Sequence, residues 1–222
     1  MSISPSKENI LKKIRKALSH STPLPFPQSE NNNSVFHAAK QENEVEFAEQ
    51  FSKLLGKFIY CQNHSELVSQ LNALITQQQW NKIYCREEKL KEILRQNQFD
   101  NFSDVELKDC DVSITTCEAL VARTGSIMMS TAQQSGRTVS VYAPVHVCIA
   151  YTHQLVYDIK DALQLVKDKY ADKLPSLITF ATGPSRTADI EKTLVVGVHG
   201  PKEVYLFLVE SLWPFISIQQ NK

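Results

Sequence analysis

The sequence lacks an excess of charge of either sign and lacks any long apolar run. Its 222 residues contain 24 basic and 24 acidic side chains, whereas a nucleic-acid-binding domain usually carries a basic excess or a basic stripe. The apolar runs, such as Leu194–Val196, are only a few residues long, and roughly 20 residues are needed to span a bilayer. The composition therefore favours neither a nucleic-acid-binding protein nor a membrane-spanning one.

The sequence also lacks the motifs that hold metals and common cofactors. Its five cysteines form no C-x-x-C pair, which argues against an iron–sulfur or zinc framework. We expect Cys61, Cys85 and Cys148, which lie in strand-like stretches, to be unreactive buried residues. None of the six histidines forms an H-x-x-x-H or H-E-x-x-H pair, so we expect no metal site. The motifs G-x-S-x-G and G-x-G-x-x-G are absent, which disfavours a serine hydrolase and a Rossmann-type NAD enzyme.

The amino-terminal segment has the pattern of an amphipathic helix. Residues 4–18 begin with Ser4 as a helix cap and Pro5 at the first helical position, and apolar residues then recur every three or four positions. Because Lys and Arg interrupt these apolar positions, the segment lacks the continuous apolar core of a secretory signal. We therefore expect a cytoplasmic protein. The apolar face of the helix must be buried on its own domain, on a symmetry mate or on a partner protein.

A change in composition separates this helix from the rest of the chain. Residues 21–34 contain three prolines and three consecutive asparagines, and such a segment buries too little apolar surface to order itself. We therefore divide the chain into a helical arm over residues 1–20, a flexible linker over 21–40 and a single α/β domain over 41–222.

Helical and strand-like segments alternate after the linker. Apolar spacing predicts helices over 44–55, 65–78 and 86–97, with strands over 57–61 and 81–85 between them. Such alternation is typical of a parallel sheet covered by helices, so we expect an α/β fold. Further strands are predicted over 112–116, 126–131, 138–143, 146–151, 176–182, 193–198 and 204–209, and a further helix near 157–170.

Five of the six glycines lie between residues 125 and 200, at predicted strand ends. Glycine permits positive φ and a close approach of the backbone to a ligand, so we expect a binding site at these turns. The turn over residues 182–187 is the strongest candidate, because its hydroxyl groups, its backbone amides and Arg186 suit a phosphate or carboxylate. Alternatively, Arg186 pairs with Asp189, and Ser185 or Thr187 caps a short helix.

Three further residues are candidates for acid–base chemistry or ligand binding, each with a structural alternative. Glu118 suits an acid or base, or else a solvated carboxylate at the start of a helix. His146 suits a general acid or base, or else a hydrogen-bonded histidine in the core. His199 lies in a Gly-Val-His-Gly-Pro turn whose backbone geometry alone would explain its glycines.

Several of these motifs together resemble one known family. The segments Thr124-Gly125-Ser126, Gly136-Arg137, Pro144-Val145-His146, GPSRTADIE over 183–191 and GVHGP over 197–201 are similar to those of the LUD-domain family, the lactate-utilisation protein C group. The resemblance is strongest over residues 118–210. It departs from the family at Arg123, where members commonly have an acidic residue, and at Ser126, which replaces a second threonine.

The resemblance implies an open, Rossmann-like α/β sheet of the type found in the NagB, RpiA and CoA-transferase group. It also implies a cytoplasmic bacterial protein that works with two iron–sulfur partner proteins to oxidise L-lactate to pyruvate. Because this chain has no cysteine framework or dinucleotide fingerprint, we expect the iron–sulfur clusters on the partners and no cofactor on this chain. It would then be a non-redox subunit that binds a small anion through Arg186 or Arg137, or that assembles the complex.

The alternative is a stand-alone enzyme that acts on a phosphosugar or an acyl-CoA, as the implied fold suggests. Such chemistry would need a positioned carboxylate, for which Glu118, Asp189 and Glu191 are the candidates. The candidate catalytic residues are Glu118, His146, Asp189 and Glu191. The candidate ligand-binding residues are Thr124, Gly125, Ser126, Arg137, Thr182, Gly183, Ser185, Arg186, Thr187, His199 and Gly200.

Overall fold

The computed structural model describes residues 5–19, 39, 41–188 and 194–210. The chain divides into two compact units, Met1–Ala38 and Ala39–Lys222. The described part of the first unit is helix α1, Pro5–Leu18, which has Glu8 in its first turn and Arg15 and Lys16 in its last turn. These charges oppose the partial charges at the two ends of the helix and so stabilise it.

The second unit contains the remaining helices and all the strands. Its helices are α2 (Asn43–Lys53), α3 (His64–Gln78), α4 (Glu88–Gln96), α5 (Val139–Tyr142) and α6 (Ile159–Tyr170). Its strands are β1 (Lys57–Cys61), β2 (Ile83–Cys85), β3 (Val112–Thr115), β4 (Ala119–Val121), β5 (Ser126–Ser130), β6 (Val145–Tyr151), β7 (Leu155–Val156), β8 (Ile178–Ala181), β9 (Arg186–Ala188), β10 (Leu194–Val196) and β11 (Glu203–Val209).

The strands form two larger sheets and one hairpin. Five parallel strands make the main sheet in the order β1-β11-β6-β3-β2. The second sheet has the order β7-β4-β5-β8 and is mostly antiparallel. Strands β9 and β10 pair as an antiparallel hairpin. The main sheet is open, which confirms the α/β architecture that alternation of helices and strands predicted.

Three clusters of buried apolar side chains lie between the sheets and the helices. Helices α3 and α4 pack on one face of the main sheet. On its other face, β6 and β11 pack against β4 and β5 of the second sheet and against Phe47 and Phe51 of α2. Helix α6 covers the far face of the second sheet through Ala162 and Val166. The two sheets therefore enclose a shared core, with helices on the outside.

One predicted strand is wrong. Residues 138–143 form the short helix α5 instead, because the amides of Val141 and Tyr142 both donate to the carbonyl oxygen of Thr138, each at 3.0 Å. Only Val139 of this helix is buried, whereas Val141 and Tyr142 are exposed. The alternating valines therefore reflect a local turn and not a pleated strand. None of the helices in the described ranges has the length and apolar character that crossing a membrane requires.

Candidate functional site

Two turns meet at the amino-terminal ends of β6 and β11. The amide of Ser185 donates to the carbonyl oxygen of Pro201 at 2.9 Å, and the amide of Gly197 donates to that of Ser185 at 2.9 Å. The second turn is also tied to the start of β6, because the amide of Lys202 donates to the carbonyl oxygen of Pro144 at 2.8 Å. These backbone bonds hold the 182–186 turn against the 197–201 turn.

The two turns, together with α5 and strands β5, β8 and β11, enclose a cavity of about 360 Å³, which we call the amino-edge cavity. None of its described lining residues carries a carboxylate, and Arg186 contributes a guanidinium. A guanidinium beside hydroxyl groups, with no carboxylate among the described lining residues, favours an anionic ligand. Seven of the residues predicted for a site line this cavity: His146, Thr182, Gly183, Ser185, Arg186, His199 and Gly200.

His146 is fully buried in the wall of the amino-edge cavity. Its Nε2 lies 2.8 Å from the hydroxyl oxygen of Thr115, whereas its Nδ1 has no hydrogen-bond partner among the described residues. Burial lowers the pKa of His146 to about 4, so the ring is neutral near neutral pH. A neutral imidazole with an unused ring nitrogen can make one further hydrogen bond, to a ligand or to a water.

A second buried polar atom lies beside this imidazole. Ser113 pairs with His146 across β3 and β6, and its hydroxyl also has no partner within the described part of the chain. Because side chains alternate along a strand, Ser113 and Thr115 lie on the same face of the main sheet, and that face is turned towards the second sheet. The core between the sheets therefore has a polar patch next to the cavity.

Thr124 and Ser126 connect to the cavity through a row of hydroxyl groups. The hydroxyl oxygens of Thr124 and Ser126 are 2.7 Å apart, and Ser126 lies 3.0 Å from the hydroxyl oxygen of Thr182. Of these three residues only Thr182 lines the cavity. Thr124 and Ser126 therefore fix the position of Thr182 and do not reach the cavity themselves.

Gly125 and Gly183 were predicted to let the backbone approach a ligand, but the structure gives them a different role. Gly125 and Gly183 both have positive φ, but a β-carbon on either would collide with the backbone at the end of α2. Gly125 faces the amide nitrogen of Phe51, and Gly183 faces the carbonyl oxygen of Leu54. Their missing side chains therefore let the helix approach the turns, and Gly183 alone of the two also lines the cavity.

Of the remaining candidates, Arg137 lies outside this cavity, and the others lie wholly or partly outside the described residues. Arg137 donates from its guanidinium to the hydroxyl of Ser176 at 2.9 Å and is not among the lining residues. Thr187 belongs to β9, and its side chain is outside the described part of the structure. Asp189 and Glu191 lie outside the described residues altogether.

Glu118 lies at the opposite, carboxyl-terminal edge of the main sheet. One alternative placed Glu118 at the start of a helix, but it lies in the link between β3 and β4. Its side chain is only 2% exposed, and it accepts hydrogen bonds from Ser130 at 2.6 Å, Tyr170 at 2.7 Å and Lys169 at 2.8 Å. Three donors replace water around this buried carboxylate.

The pKa values of two of these donors favour their protonated forms. Burial alone would lower the pKa of Lys169, but the hydrogen bond to Glu118, the charge of Glu118 and the contact with Tyr170 together outweigh burial, so the pKa is raised. Burial and the same carboxylate raise the pKa of Tyr170. Both groups therefore stay protonated at neutral pH and act as hydrogen-bond donors towards Glu118.

Lys169 and Tyr170 line a second cavity of about 490 Å³ at this edge, which we call the carboxyl-edge cavity. The polar residues that line it were missed from the sequence, although most of them follow the ends of strands, where α/β proteins commonly bind ligands. Glu87 follows β2 and accepts bonds from the amide and hydroxyl of Thr116, which follows β3. The missed residues are Glu87, Lys89, Thr116, Gln133, Gln134, His153, Gln154, Lys169 and Tyr170.

Arg123, the departure from the family pattern, has a structural partner. Its Nε donates to the carboxylate of Asp158, which caps α6 and is nearly buried. Burial alone would raise the pKa of Asp158, but the hydrogen bonds from Arg123 and from the Lys160 amide lower it. Arg123 therefore joins the second sheet to the start of α6.

The described residues contain no group of three or more His, Cys, Asp or Glu side chains placed to hold a metal ion. All five cysteines are free and buried. Burial raises the pKa of Cys61 to about 11 and that of Cys85 to about 12, so both stay as thiols at neutral pH.

Comparison with known proteins links the second unit to a family. The chain matches the LUD domain over residues 45–209. It is 34% identical over 105 residues to lactate utilization protein C of Bacillus licheniformis, covering 46% of this chain and 44% of that protein. The protein of the same name from Bacillus subtilis is 34% identical over 104 residues, 46% of this chain and 43% of that one. The match therefore spans less than half the length of these relatives.

A solved structure shares the fold. The crystal structure of a DUF162 family protein from Deinococcus radiodurans has a TM-score of 0.57 to this chain at 16% sequence identity. The similarity covers 78% of this chain and 99% of that chain. At this identity the likeness concerns the fold alone.

Proposed function

Because the chain belongs to the LUD domain family, we propose that it is a non-redox subunit of an iron–sulfur L-lactate oxidation system and binds a small carboxylate in the amino-edge cavity. The relatives named lactate utilization protein C support the connection to lactate. The polarity of the cavity supports the connection to a carboxylate.

The observation that carries this proposal is the polarity of the amino-edge cavity. Arg186 supplies a guanidinium, and none of the described lining residues supplies a carboxylate to neutralise it. His146 adds a neutral imidazole with a nitrogen that has no partner among the described residues. An acid with a hydroxyl or oxo group beside its carboxylate could satisfy both, because the carboxylate pairs with the guanidinium and the neighbouring oxygen bonds to the imidazole.

We assign the electron carriers to partner proteins. The cysteines of this chain are buried among apolar side chains, and the thiols of Cys61 and Cys85 are held protonated. A thiolate is the form that binds iron–sulfur clusters, so these positions suit packing better than ligation. The lactate oxidation would then take place in a complex to which this chain contributes binding or assembly.

Calorimetric titration of the purified protein with L-lactate and with pyruvate tests the binding step. We expect saturable binding of at least one acid, and we expect Arg186→Ala to weaken it by roughly tenfold or more, the size of a lost charge-assisted hydrogen bond. Arg137→Ala is the matched control, because Arg137 bonds to Ser176 outside the cavity. If the protein binds neither acid, or if the two arginine variants lose the same affinity, the proposal is contradicted.

The amphipathic helix α1 is the proposed docking element of the complex. Its described residues carry five basic side chains and one acidic side chain, which suits an acidic partner surface. We expect the chain that lacks residues 1–34 to capture no iron-containing partner and to show no lactate-dependent dye reduction. We expect the melting temperature of the remaining domain to be unchanged. Full capture by the truncated chain would rule out this role for α1.

A second candidate function is a stand-alone enzyme, favoured by the network around Glu118. A buried carboxylate that accepts hydrogen bonds from Lys169 and Tyr170, two residues that line the carboxyl-edge cavity, has the geometry of an acid–base site. We expect Glu118→Gln to remove any turnover that this site supports. Unchanged turnover in that variant, measured with the substrate that the wild-type protein converts, would exclude Glu118 as the catalytic group.

A further inference from the structure

A third cavity adjoins the amino-edge cavity. It has a volume of about 530 Å³ and lies between α5 and the 197–202 segment. The two cavities share three lining residues, Val141, His199 and Gly200. We call the third cavity the side cavity. Because the same residues border both spaces, a single ligand can occupy the two cavities by crossing the rim at His199 and Gly200.

Three exposed apolar side chains line the side cavity, beside Lys108 and Lys202. Val141, Tyr142 and Val198 are 40%, 69% and 54% exposed, and all three line it. Exposed apolar side chains gathered around one concavity mark a place where something else binds. The aliphatic stem of Lys202 lies against Gly197 and adds further methylene surface. The described lining of this cavity includes no carboxylate that would repel an acid.

The two cavities together are larger than a three-carbon acid would fill. Binding sites of about 300–1,000 Å³ commonly enclose ligands of drug size, and each of these cavities falls in that range. A three-carbon acid bound at Arg186 and His146 would leave the apolar surface of Tyr142 and Val198 in water. A ligand with an apolar arm would cover that surface.

We propose that the natural ligand is a 2-hydroxy or 2-oxo acid with an aromatic side chain, whose acid group lies in the amino-edge cavity and whose ring lies in the side cavity. This inference rests on the proposed carboxylate binding and adds the class of the ligand. Tyr142 provides an exposed ring for aromatic contact, and the two valines provide apolar walls. The rim at His199 and Gly200 sets the length of the link between acid and ring.

The test compares L-phenyllactate with L-lactate by calorimetric titration of the full-length protein. Because one aromatic ring would be buried, we expect L-phenyllactate to bind at least about tenfold more tightly than L-lactate. Tyr142→Ala should remove most of this preference and leave the affinity for L-lactate unchanged. Tyr60→Ala is the matched control, because Tyr60 is also an exposed tyrosine but lies on β1, outside both cavities.

The outcomes separate this inference from the proposed function. Equal affinity for the two acids would overturn the aromatic ligand while leaving carboxylate binding intact. No binding of either acid would overturn both. If sedimentation shows a dimer that Tyr142→Ala dissociates, and L-phenyllactate has no advantage, then a second copy of the chain covers the side cavity and the inference is wrong.

Discussion

Gly183 lies directly against the carbonyl oxygen of Leu54, the residue that caps the end of α2. A β-carbon at Gly183 would collide with that oxygen, and the positive φ of 84° is a second obstacle to any other residue. We expect Gly183→Ala to lower the free energy of unfolding by about 2 kcal/mol or more, measured by urea denaturation.

Gly136 provides the control for this prediction. Its φ is also positive, at 65°, but a β-carbon there would meet nothing within 4 Å. Gly136→Ala should therefore carry only the conformational cost of about 1 kcal/mol. Equal losses in the two variants would show that the contact with α2 contributes nothing.

The ion pair between Glu118 and Lys169 is asymmetric, and its two halves should respond differently to mutation. The carboxylate is 2% exposed, whereas the lysine side chain is 60% exposed. Lys169→Met leaves a buried carboxylate without its cation, and we expect a loss of about 2–3 kcal/mol in unfolding free energy. Glu118→Gln leaves an ammonium that water can solvate, and we expect only about 1 kcal/mol.

Urea denaturation of both variants checks this order. Lys53→Met is the control, because Lys53 and Glu49 are 4.0 Å apart and both are largely exposed, so their pair should contribute almost nothing. A larger loss from Glu118→Gln than from Lys169→Met would contradict the asymmetry.

His146 should make the stability fall as the pH drops below neutral. Its pKa is about 4 in the folded protein and 6.5 for an ordinary histidine, so between these values the unfolded chain binds the proton more strongly. The stability is full above pH 6.5 and declines towards pH 4. Between pH 7 and pH 5 this residue alone accounts for a loss of about 2 kcal/mol.

Chemical denaturation at pH 7 and at pH 5 measures this contribution. We expect His146→Gln to lose less stability than the wild-type protein over that interval, because the titrating group is gone. His199→Gln, which changes an exposed histidine, should keep the wild-type response. Parallel pH responses of wild type and His146→Gln would refute the prediction.

Arg123 should stabilise the protein only while Asp158 is ionised. The pKa of Asp158 lies below its ordinary 3.8 in the folded state, so the contribution of the pair is full above that value and is lost as the pH falls through the folded pKa. We expect Arg123→Gln to lower the unfolding free energy by about 1–2 kcal/mol at pH 7. The difference from wild type should shrink below pH 3.8. Arg95→Gln, at a surface pair with Asp100, should have little effect at either pH.

Hydrophobic periodicity was sufficient to predict most of the fold. The segment 57–61 is a strand with the predicted bounds, and α3 differs from its prediction by one residue at its start. Helix α3 buries apolar side chains at helical spacing, and the strand is a short, largely apolar run, and a sequence displays both features directly. The error at α5 arose where two valines alternate but only one is buried, because the pattern alone cannot tell a strand from a short turn of helix.

The candidate site was harder to predict, since its contacts join distant parts of the chain. The turns over 182–186 and 197–201 could be found because glycine, hydroxyl residues and Arg186 are concentrated there. In contrast, Glu118 meets Lys169 and Tyr170 across 51 and 52 residues, and no local pattern reports such a pair. The unpartnered nitrogen of His146 depends on its depth in the core, which composition does not reveal.

The position of β11 in the main sheet constrains how the chain can fold during synthesis. β1 pairs with β11 and with no other described strand, although Lys57 and its partner Tyr205 are 148 residues apart. Until residues 203–209 leave the ribosome, β1 has no neighbour and β6 exposes one bare edge. Parallel strand pairs between segments so far apart in the chain form slowly, and an unpaired strand edge can pair with other chains. The nascent chain therefore has two unpaired strand edges until β11 inserts between β1 and β6.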